Sequence, residues 1–289
     1  MLDEFAQKFG LKFHEIRVRR RLTIEQVRGG LEASTVSRFE RGQTMLSTTN
    51  LIALLHAAGM SATEFFNIVG AIRPTAIERL MDEVQLADRR QDAAILVRAM
   101  HYLLGNTEGT LPAQILALVV NSDITRIKVP DYHFSGADQD QIEDYLKEQP
   151  AWFKLEYFIF NQAIPSLTPE MNDRLYRDMV RSYAAIQLPE YTELVGSSLA
   201  KLAVVWLLNG DWNKTYQMIN DAKQFIVGSG NVLITYRAQL IELAANYLDS
   251  RDEKYLAEVK SMLAFFRTVD AEIYQADRNW LRLLHIPVD

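Results

Sequence analysis

Apolar residues along this chain recur every three or four positions, and strict apolar–polar alternation is nearly absent. This spacing is typical of amphipathic helices and predicts an all-α fold. Near the start of the chain, for example, Phe9, Phe13 and Ile16 fall on one helical face. Glycine and proline are scarce and lie between such segments, where they indicate turns.

The first 70 residues contain the pattern of five short helices. Thr23 and Ser61 each begin a sequence of the form S/T-x-x-E/Q, which caps the start of a helix. The predicted helices run from 8 to 21, from 23 to the glycines at 29–30, from 33 to 41, from 47 or 49 to 58, and from 61 to 68. Gly70 and Pro74 then mark a boundary, which predicts domains of 1–70 and 71–289.

Beyond this boundary the predicted helices are longer. Their ranges are 75–88, 91–104, 111–121, 138–148, 151–163, 168–186, 190–209, 212–228, 231–249, 252–267 and 270–284. From 151 onward they pair into units about 40 residues apart, and the turn at 207–212 resembles that of a tetratricopeptide unit. We therefore predict a right-handed helical-repeat (tetratricopeptide-like) domain after the five-helix domain.

Charge is distributed unevenly between these two parts. The whole chain has 31 Lys and Arg against 37 Asp and Glu, a net charge of −6. Residues 8–41 alone have nine basic residues against four acidic ones, whereas residues 71–289 have 22 against 30. A basic island suits a nucleic-acid-binding segment, and the acidic remainder does not.

Several classes of function are disfavoured by what the sequence lacks. With no cysteine, disulfides, thiolate nucleophiles and zinc ribbons are excluded. The five histidines are scattered and no metalloprotease, dinucleotide or phosphate-loop motif occurs, so we expect no enzyme, no metal and no cofactor. No apolar run approaches the ~18 residues of a membrane span, and the acidic N-terminus is unlike a secretory signal. We expect a cytoplasmic protein that does not bind membranes.

Residues 23–42 have the pattern of a helix-turn-helix. Their apolar positions can converge on one small core: Ile24, Val27, Leu31, Val36 and Phe39. The outer side of the third helix then carries the candidates for contacts with DNA bases in the major groove, which are Ala33, Ser34, Ser37 and Arg38. Candidates for contacts with DNA phosphates surround that helix: Lys12, Arg17, Arg19, Arg21, Thr23, Thr35 and Arg41.

The run Ser34–Gly42 resembles the helix-turn-helix of lambdoid repressors and, more narrowly, that of the Rgg-type (RRNPP group) regulators of Gram-positive bacteria. The aromatic segment Trp152–Asn161 resembles a helix that those regulators have after their middle. The resemblance implies that Arg17 forms an ion pair with Glu40, so that Arg17 is both structural and phosphate-facing.

The Rgg-type resemblance also implies a ligand, a short apolar signalling peptide used in quorum sensing. Asparagines within helices suit such a ligand, because an amide side chain can both donate to and accept from a peptide backbone. The candidates for peptide contacts are Tyr157, Asn161, Asn209, Tyr236, Arg237 and Asn246, with Asn220 as a further helical amide. Asn209 precedes Gly210 and has a helix C-cap as its alternative role.

Operators of repressor-like helix-turn-helix domains (here called heads) usually consist of two half-sites about one helical turn apart. Each half-site binds one head, so we expect a homodimer on an inverted-repeat operator. Residues 252–284 are the expected dimer surface. Some relatives join their heads through a cysteine, which this chain lacks, so contact between heads must be non-covalent. Two alternatives stay open: a scaffold that grips a protein partner, and a DNA-binding regulator without a peptide ligand.

Overall fold

A computed structural model describes residues 2–90, 92–106, 109–226 and 231–288 of the chain. Those residues form helices, turns and loops without any strand, so the all-α prediction is confirmed. The chain divides into two compact units, residues 1–75 and 76–289. The turn predicted at 228–230 lies outside the described residues, as do positions 91, 107 and 108.

The first unit consists of five helices around an aromatic core. They are α1 (Leu2–Arg19), α2 (Ile24–Val27), α3 (Ala33–Glu40), α4 (Thr48–Ala57) and α5 (Ala62–Ile68). Phe13 lies between Phe39 and Phe65, with ring centroids 5.9 and 6.4 Å away, and all three side chains are buried. The side chains of Thr23 and Ser61 cap α2 and α5, as the sequence pattern predicts.

Helix α1 begins six residues earlier than predicted, at Leu2 rather than position 8. Gly10 therefore lies inside the helix, although glycine is an unfavourable residue there. A Cβ atom at this position would stand 1.7 Å from the carbonyl oxygen of Phe39. Gly10 thus allows the backbones of α1 and α3 to approach closely. This packing requirement outweighs helix propensity.

The second unit contains eleven α-helices in its described part. They are α6 (Ala76–Arg90), α7 (Ala93–Asn106), α8 (Leu111–Lys128), α9 (Gly136–Glu148), α10 (Lys154–Ala163), α11 (Pro169–Ala185), α12 (Pro189–Leu208), α13 (Trp212–Ile226), α14 (Val232–Ser250), α15 (Glu253–Val269) and α16 (Ala271–Leu283). A short 3₁₀ turn, Ile164–Ser166, follows α10. Helix α8 continues past the predicted end at 121, because Ile124 and Ile127 pack against the core.

Helices α12 and α13 form one hairpin and helices α14 and α15 form the next, whereas α11 packs on α9 and α12 rather than on α10. Helices α10, α12 and α14 are successive neighbours. On one side of α12, Ser198 accepts a hydrogen bond from Asn161 of α10 at 3.0 Å. On another side, a Cβ at Gly196 would stand 2.8 Å from the Ile234 side chain of α14. The last helix also contacts the first helix of this unit, since Arg90 Nε donates to Glu272 Oε1 at 3.0 Å.

One helix in the described part of the chain, Glu190–Leu208, is long and apolar enough to cross a membrane by itself. Of that segment, 61% is buried within the second unit.

Candidate nucleic-acid and ligand interfaces

Helix α3 presents a polar face to solvent. Ala33, Ser34 and Arg38 are exposed, and Ser37 is half-buried. Val36 and Phe39, on the opposite side, are fully buried in the core of the first unit. The glycines at 29 and 30 adopt positive φ angles, 53° and 91°, in the turn that separates α2 from α3. The exposed side therefore carries small side chains and one arginine, which suits entry into a groove about 12 Å wide.

Arg17 and Glu40 form a buried ion pair that joins α1 to α3. Arg17 Nε and Nη2 donate to the two carboxylate oxygens at 2.5 and 2.7 Å, and Nη1 donates to the carbonyl of Leu22 at 2.7 Å. Burial raises the pKa of Glu40, but the hydrogen bonds and charges of Arg17 and His14 together outweigh burial and hold the pKa below its ordinary value. Arg17 is only 9% exposed. We therefore withdraw its predicted phosphate contact and assign it a structural role.

The other candidates for phosphate contacts differ in whether their side chains already form ion pairs. Arg21 and Arg41 are exposed and form no ion pair with the residues that the structure describes. Lys12 and Arg19 both pair with Glu15, at 2.6 and 2.8 Å.

The two threonines in the predicted set differ: Thr23 is exposed but takes part in a helix cap, whereas Thr35 is half-buried. Thr23 Oγ1 accepts from the backbone N–H of Gln26 in the cap of α2. A further arginine, Arg20, donates to the carbonyls of Ala58 and Gly59 and so caps the end of α4. Of the phosphate candidates, Arg21 and Arg41 are the exposed arginines without an ion pair among the described residues.

The second unit has a surface on the side of α12 away from α13. Trp206 marks the α13 side, since Lys214 lies 4.0 Å from the centre of its ring. At 100° per residue, Ser197 is on the opposite side of the helix from Trp206. A stripe of exposed or half-buried residues runs through this position, and we call it the inner face: Glu193, Ser197, Lys201, Val204 and Leu208.

Helix α14 contributes Arg237 to the same side of the array. Asn246 marks the α13 side of α14, because its amide oxygen accepts a hydrogen bond from Tyr216 of α13 at 2.6 Å. Arg237 is nine residues from Asn246, which places it on the opposite side of the helix. The packing of Gly196 against Ile234 sets Arg237 about level with Ser197 and Lys201. The inner face therefore continues from α12 onto α14.

The family of the chain follows from its second unit. The model of the C-terminal domain of the HTH-type transcriptional regulator Rgg matches residues 102–277, which is well over half of the 289 residues. The chain belongs to the Rgg family. The predicted family is thus confirmed, and it is a family of transcriptional regulators rather than enzymes.

Solved structures share the fold of this Rgg-family chain over nearly its whole length. A structure of a candidate transcriptional regulator from Listeria monocytogenes EGD-e has a TM-score of 0.77 at 19% identity, covering 97% of each chain. The SHP pheromone receptor Rgg2 of Streptococcus dysgalactiae gives 0.72 at 16% identity, covering 95% of this chain and 98% of its own. The PrgX/cCF10 complex has a TM-score of 0.72 at 13% identity, covering 96% of this chain and 99% of its own.

Two residues of α10 that we predicted to contact a peptide lie inside the Rgg-family fold. Tyr157 has no exposed surface and its ring packs between those of Trp152 and Tyr191, 5.7 and 5.2 Å away. Asn161 is 5% exposed, and its amide nitrogen donates to Ser198. Burial counts against both predictions, because these side chains join helices and are covered by protein.

The remaining predicted contacts do not share one surface. Tyr236 is 8% exposed, and its ring centre lies 4.1 Å from that of Phe266 of α15. Asn246 is bonded to α13, and the Asn209 amide donates to the carbonyl of Val205 near the end of α12. Asn209 therefore has its alternative role as a helix cap. Only Arg237 of the six lies on the inner face.

A buried aspartate behind Arg237 was missed by the sequence reasoning. Asp277 of α16 is 2% exposed, and its Oδ1 lies 3.3 Å from Arg237 Nε and accepts a hydrogen bond from Trp280 Nε1 at 3.2 Å. Burial raises the pKa of this carboxyl, and the charge of Arg237 partly offsets that rise. The only sequence signal was an acid at an otherwise apolar helical position, which is also common on solvated helices.

Proposed function

We propose that this Rgg-family protein is a cytoplasmic, homodimeric regulator of transcription that binds a DNA operator and responds to a short apolar peptide. The observation that carries the proposal is the exposed side of α3, with Ser34, Ser37 and Arg38 above a buried core. This arrangement occurs in a chain whose family consists of HTH-type transcriptional regulators.

In the proposed DNA complex, α3 enters the major groove and Arg38 forms a bidentate contact with guanine. Ser34 and Ser37 contact neighbouring base edges, whereas Arg21 and Arg41 bind phosphates on either side. Residues 1–70 carry only nine basic against seven acidic residues, so their non-specific attraction to DNA is weak. Useful affinity therefore depends on base contacts and on two heads that occupy two half-sites.

The inner face is the proposed peptide surface. Its α12 stripe from Glu193 to Leu208 is ~22 Å long at 1.5 Å per residue, which equals about seven residues of extended peptide. Val204 and Leu208 supply apolar contacts, and Leu208 is 45% exposed. Two of the similar structures are those of pheromone receptors or their complexes, which supports a peptide as the ligand of this chain.

Two experiments test the two parts of the proposal, peptide binding and control of DNA binding. The full chain is titrated with synthetic apolar heptapeptides, and its DNA binding is then measured with and without the bound peptide. We expect a peptide to bind and to change the affinity for the operator. The matched variants are Leu208→Ala on the inner face and Val269→Ala, which is 62% exposed on α15.

Weaker peptide binding in the first variant alone supports the assigned surface. DNA binding that no peptide alters would favour a regulator without a peptide ligand. Retention of a protein partner together with absence of DNA binding would favour a scaffold.

A further inference from the structure

Glu32, the residue before α3, lacks the contacts that the other acidic residues around it make. Between positions 7 and 75, each of the other glutamates forms an ion pair with lysine or arginine: Glu15, Glu25, Glu40 and Glu64. Glu32 is exposed and forms no ion pair with the residues that the structure describes. Arg28, one helical turn earlier, is engaged elsewhere, since its Nε lies 2.6 Å from Glu25 Oε2 and its Nη1 donates to the carbonyl of Leu31 at 2.9 Å.

Glu32 also does not cap the helix that it begins. It occupies the N-cap position of α3, but its side chain accepts no hydrogen bond from that helix. The N-cap residues of α2, α4 and α5 are Thr23, Ser47 and Ser61, and each accepts from a backbone N–H three residues later. A short polar side chain at position 32 would stabilise α3 in the same way. A residue that departs from the rules its neighbours follow is a candidate for a functional role.

This unengaged carboxylate belongs to the end of α3 that approaches the bases in the proposed DNA complex. In a helix-turn-helix, the N-terminal residues of the recognition helix contact base edges. Ala33 and Ser34 follow Glu32, are exposed, and have short side chains. A carboxylate among phosphates is unfavourable unless it meets a hydrogen-bond donor. In the major groove that donor is N4 of cytosine, because the N6 amino group of adenine lies beside N7, an acceptor that repels a carboxylate.

We propose that Glu32 is a specificity-determining residue that accepts a hydrogen bond from N4 of a cytosine in each half-site. The inference rests on the proposed function, since it requires α3 to lie in the major groove. Arg38 is six residues after Glu32, which is ~9 Å along a helix. At ~3.4 Å per base pair, the cytosine lies two or three base pairs from the guanine that Arg38 contacts.

The test is selection of operators by the full-length protein from a random double-stranded DNA library, with base preferences read at every position. We expect each half-site to contain a guanine that depends on Arg38 and, two or three base pairs away, a cytosine that depends on Glu32. Replacement of that cytosine in the selected operator should weaken binding of the unmodified protein by about 10-fold or more.

Substitutions at position 32 separate base recognition from charge. Glu32→Ala should lose the cytosine preference and keep the guanine preference, with an unchanged melting temperature. Glu32→Gln should prefer adenine instead, because an amide pairs with adenine N6 and N7. Glu64→Ala is the matched control, since it removes the same charge from α5, where Glu64 is 49% exposed. Both alanine variants should bind random DNA somewhat more tightly, but only Glu32→Ala should change the selected sequence.

The outcomes separate the role of Glu32 from the proposed function. If the unmodified protein selects no sequence, both are overturned. If Glu32→Ala selects the same sequence with the same preferences as the unmodified protein, the role of Glu32 is overturned and the proposed function stands. The same conclusion follows if Glu32→Ala gains affinity for every sequence and keeps the cytosine preference, because Glu32 then acts only through its charge.

Discussion

The buried ion pair between Arg17 and Glu40 gives the most quantitative prediction for the first unit. In Glu40→Gln the arginine stays in place, with 9% of its surface exposed, but loses its counter-charge. Removal of one partner of a buried pair costs about 3 kcal/mol or somewhat more. A unit of this size has a free energy of unfolding of roughly 4–11 kcal/mol, so the loss is a large fraction of the total.

Hydrogen–deuterium exchange of the full-length protein measures this effect directly. A loss of about 3 kcal/mol speeds exchange of the protected amides of α1 and α3 by about 100-fold. The control is Glu25→Gln, because Glu25 is 68% exposed, pairs with Arg28, and should cost less than about 1 kcal/mol. Since the pKa of Glu40 lies below 4.5, its contribution is present at neutral pH and is lost as the pH falls through that lowered value.

A double variant tests whether the unpaired charge of Arg17 causes the destabilisation. In the double variant Arg17→Met with Glu40→Leu, no charge is left unpaired, so protection should recover in large part. An exchange rate in Glu40→Gln no faster than in Glu25→Gln would refute the assignment of a buried, structural pair.

Three further predictions concern the DNA interface, the fold and the buried aspartate. Arg38→Ala should lose about 1–3 kcal/mol of discrimination between operator and random DNA in a binding titration, with an unchanged melting temperature because the side chain is exposed. Gly10→Ala should lower the melting temperature of the first unit, since its Cβ would stand 1.7 Å from Phe39 O; an unchanged temperature would contradict the close approach. The raised pKa of Asp277 means that ionisation destabilises the fold, so the melting temperature should fall relative to Asp277→Asn as the pH rises above the ordinary value of 3.8. A constant difference between pH 4 and 8 would count against that prediction.

The elements of the fold were largely predictable, because caps and helical periodicity are local properties of the sequence. Thr23 and Ser61 begin helices where their hydroxyls can accept from the N–H three residues later. Gly10 could not be assigned in this way, since its place within α1 is determined by the carbonyl of a residue 29 positions later.

The ligand surface was much less predictable than the DNA surface. Helix α3 belongs to a small unit, so its buried side follows from two apolar residues, Val36 and Phe39. Helix α10 is surrounded by other helices, and the sequence does not indicate that Tyr157 and Asn161 are covered on every side. Arg237 was predicted, but its dependence on Asp277, 40 residues later, is a tertiary contact that no local pattern contains.

Selection from a random double-stranded DNA library by the full-length protein tests the central claim most directly. We predict enrichment of an inverted repeat with half-sites about one helical turn, or ~34 Å, apart. The same selection with Arg38→Ala should lose the preference at one position in each half-site. Failure of the unmodified protein to enrich any sequence, or equal enrichment by Arg38→Ala, would contradict the account.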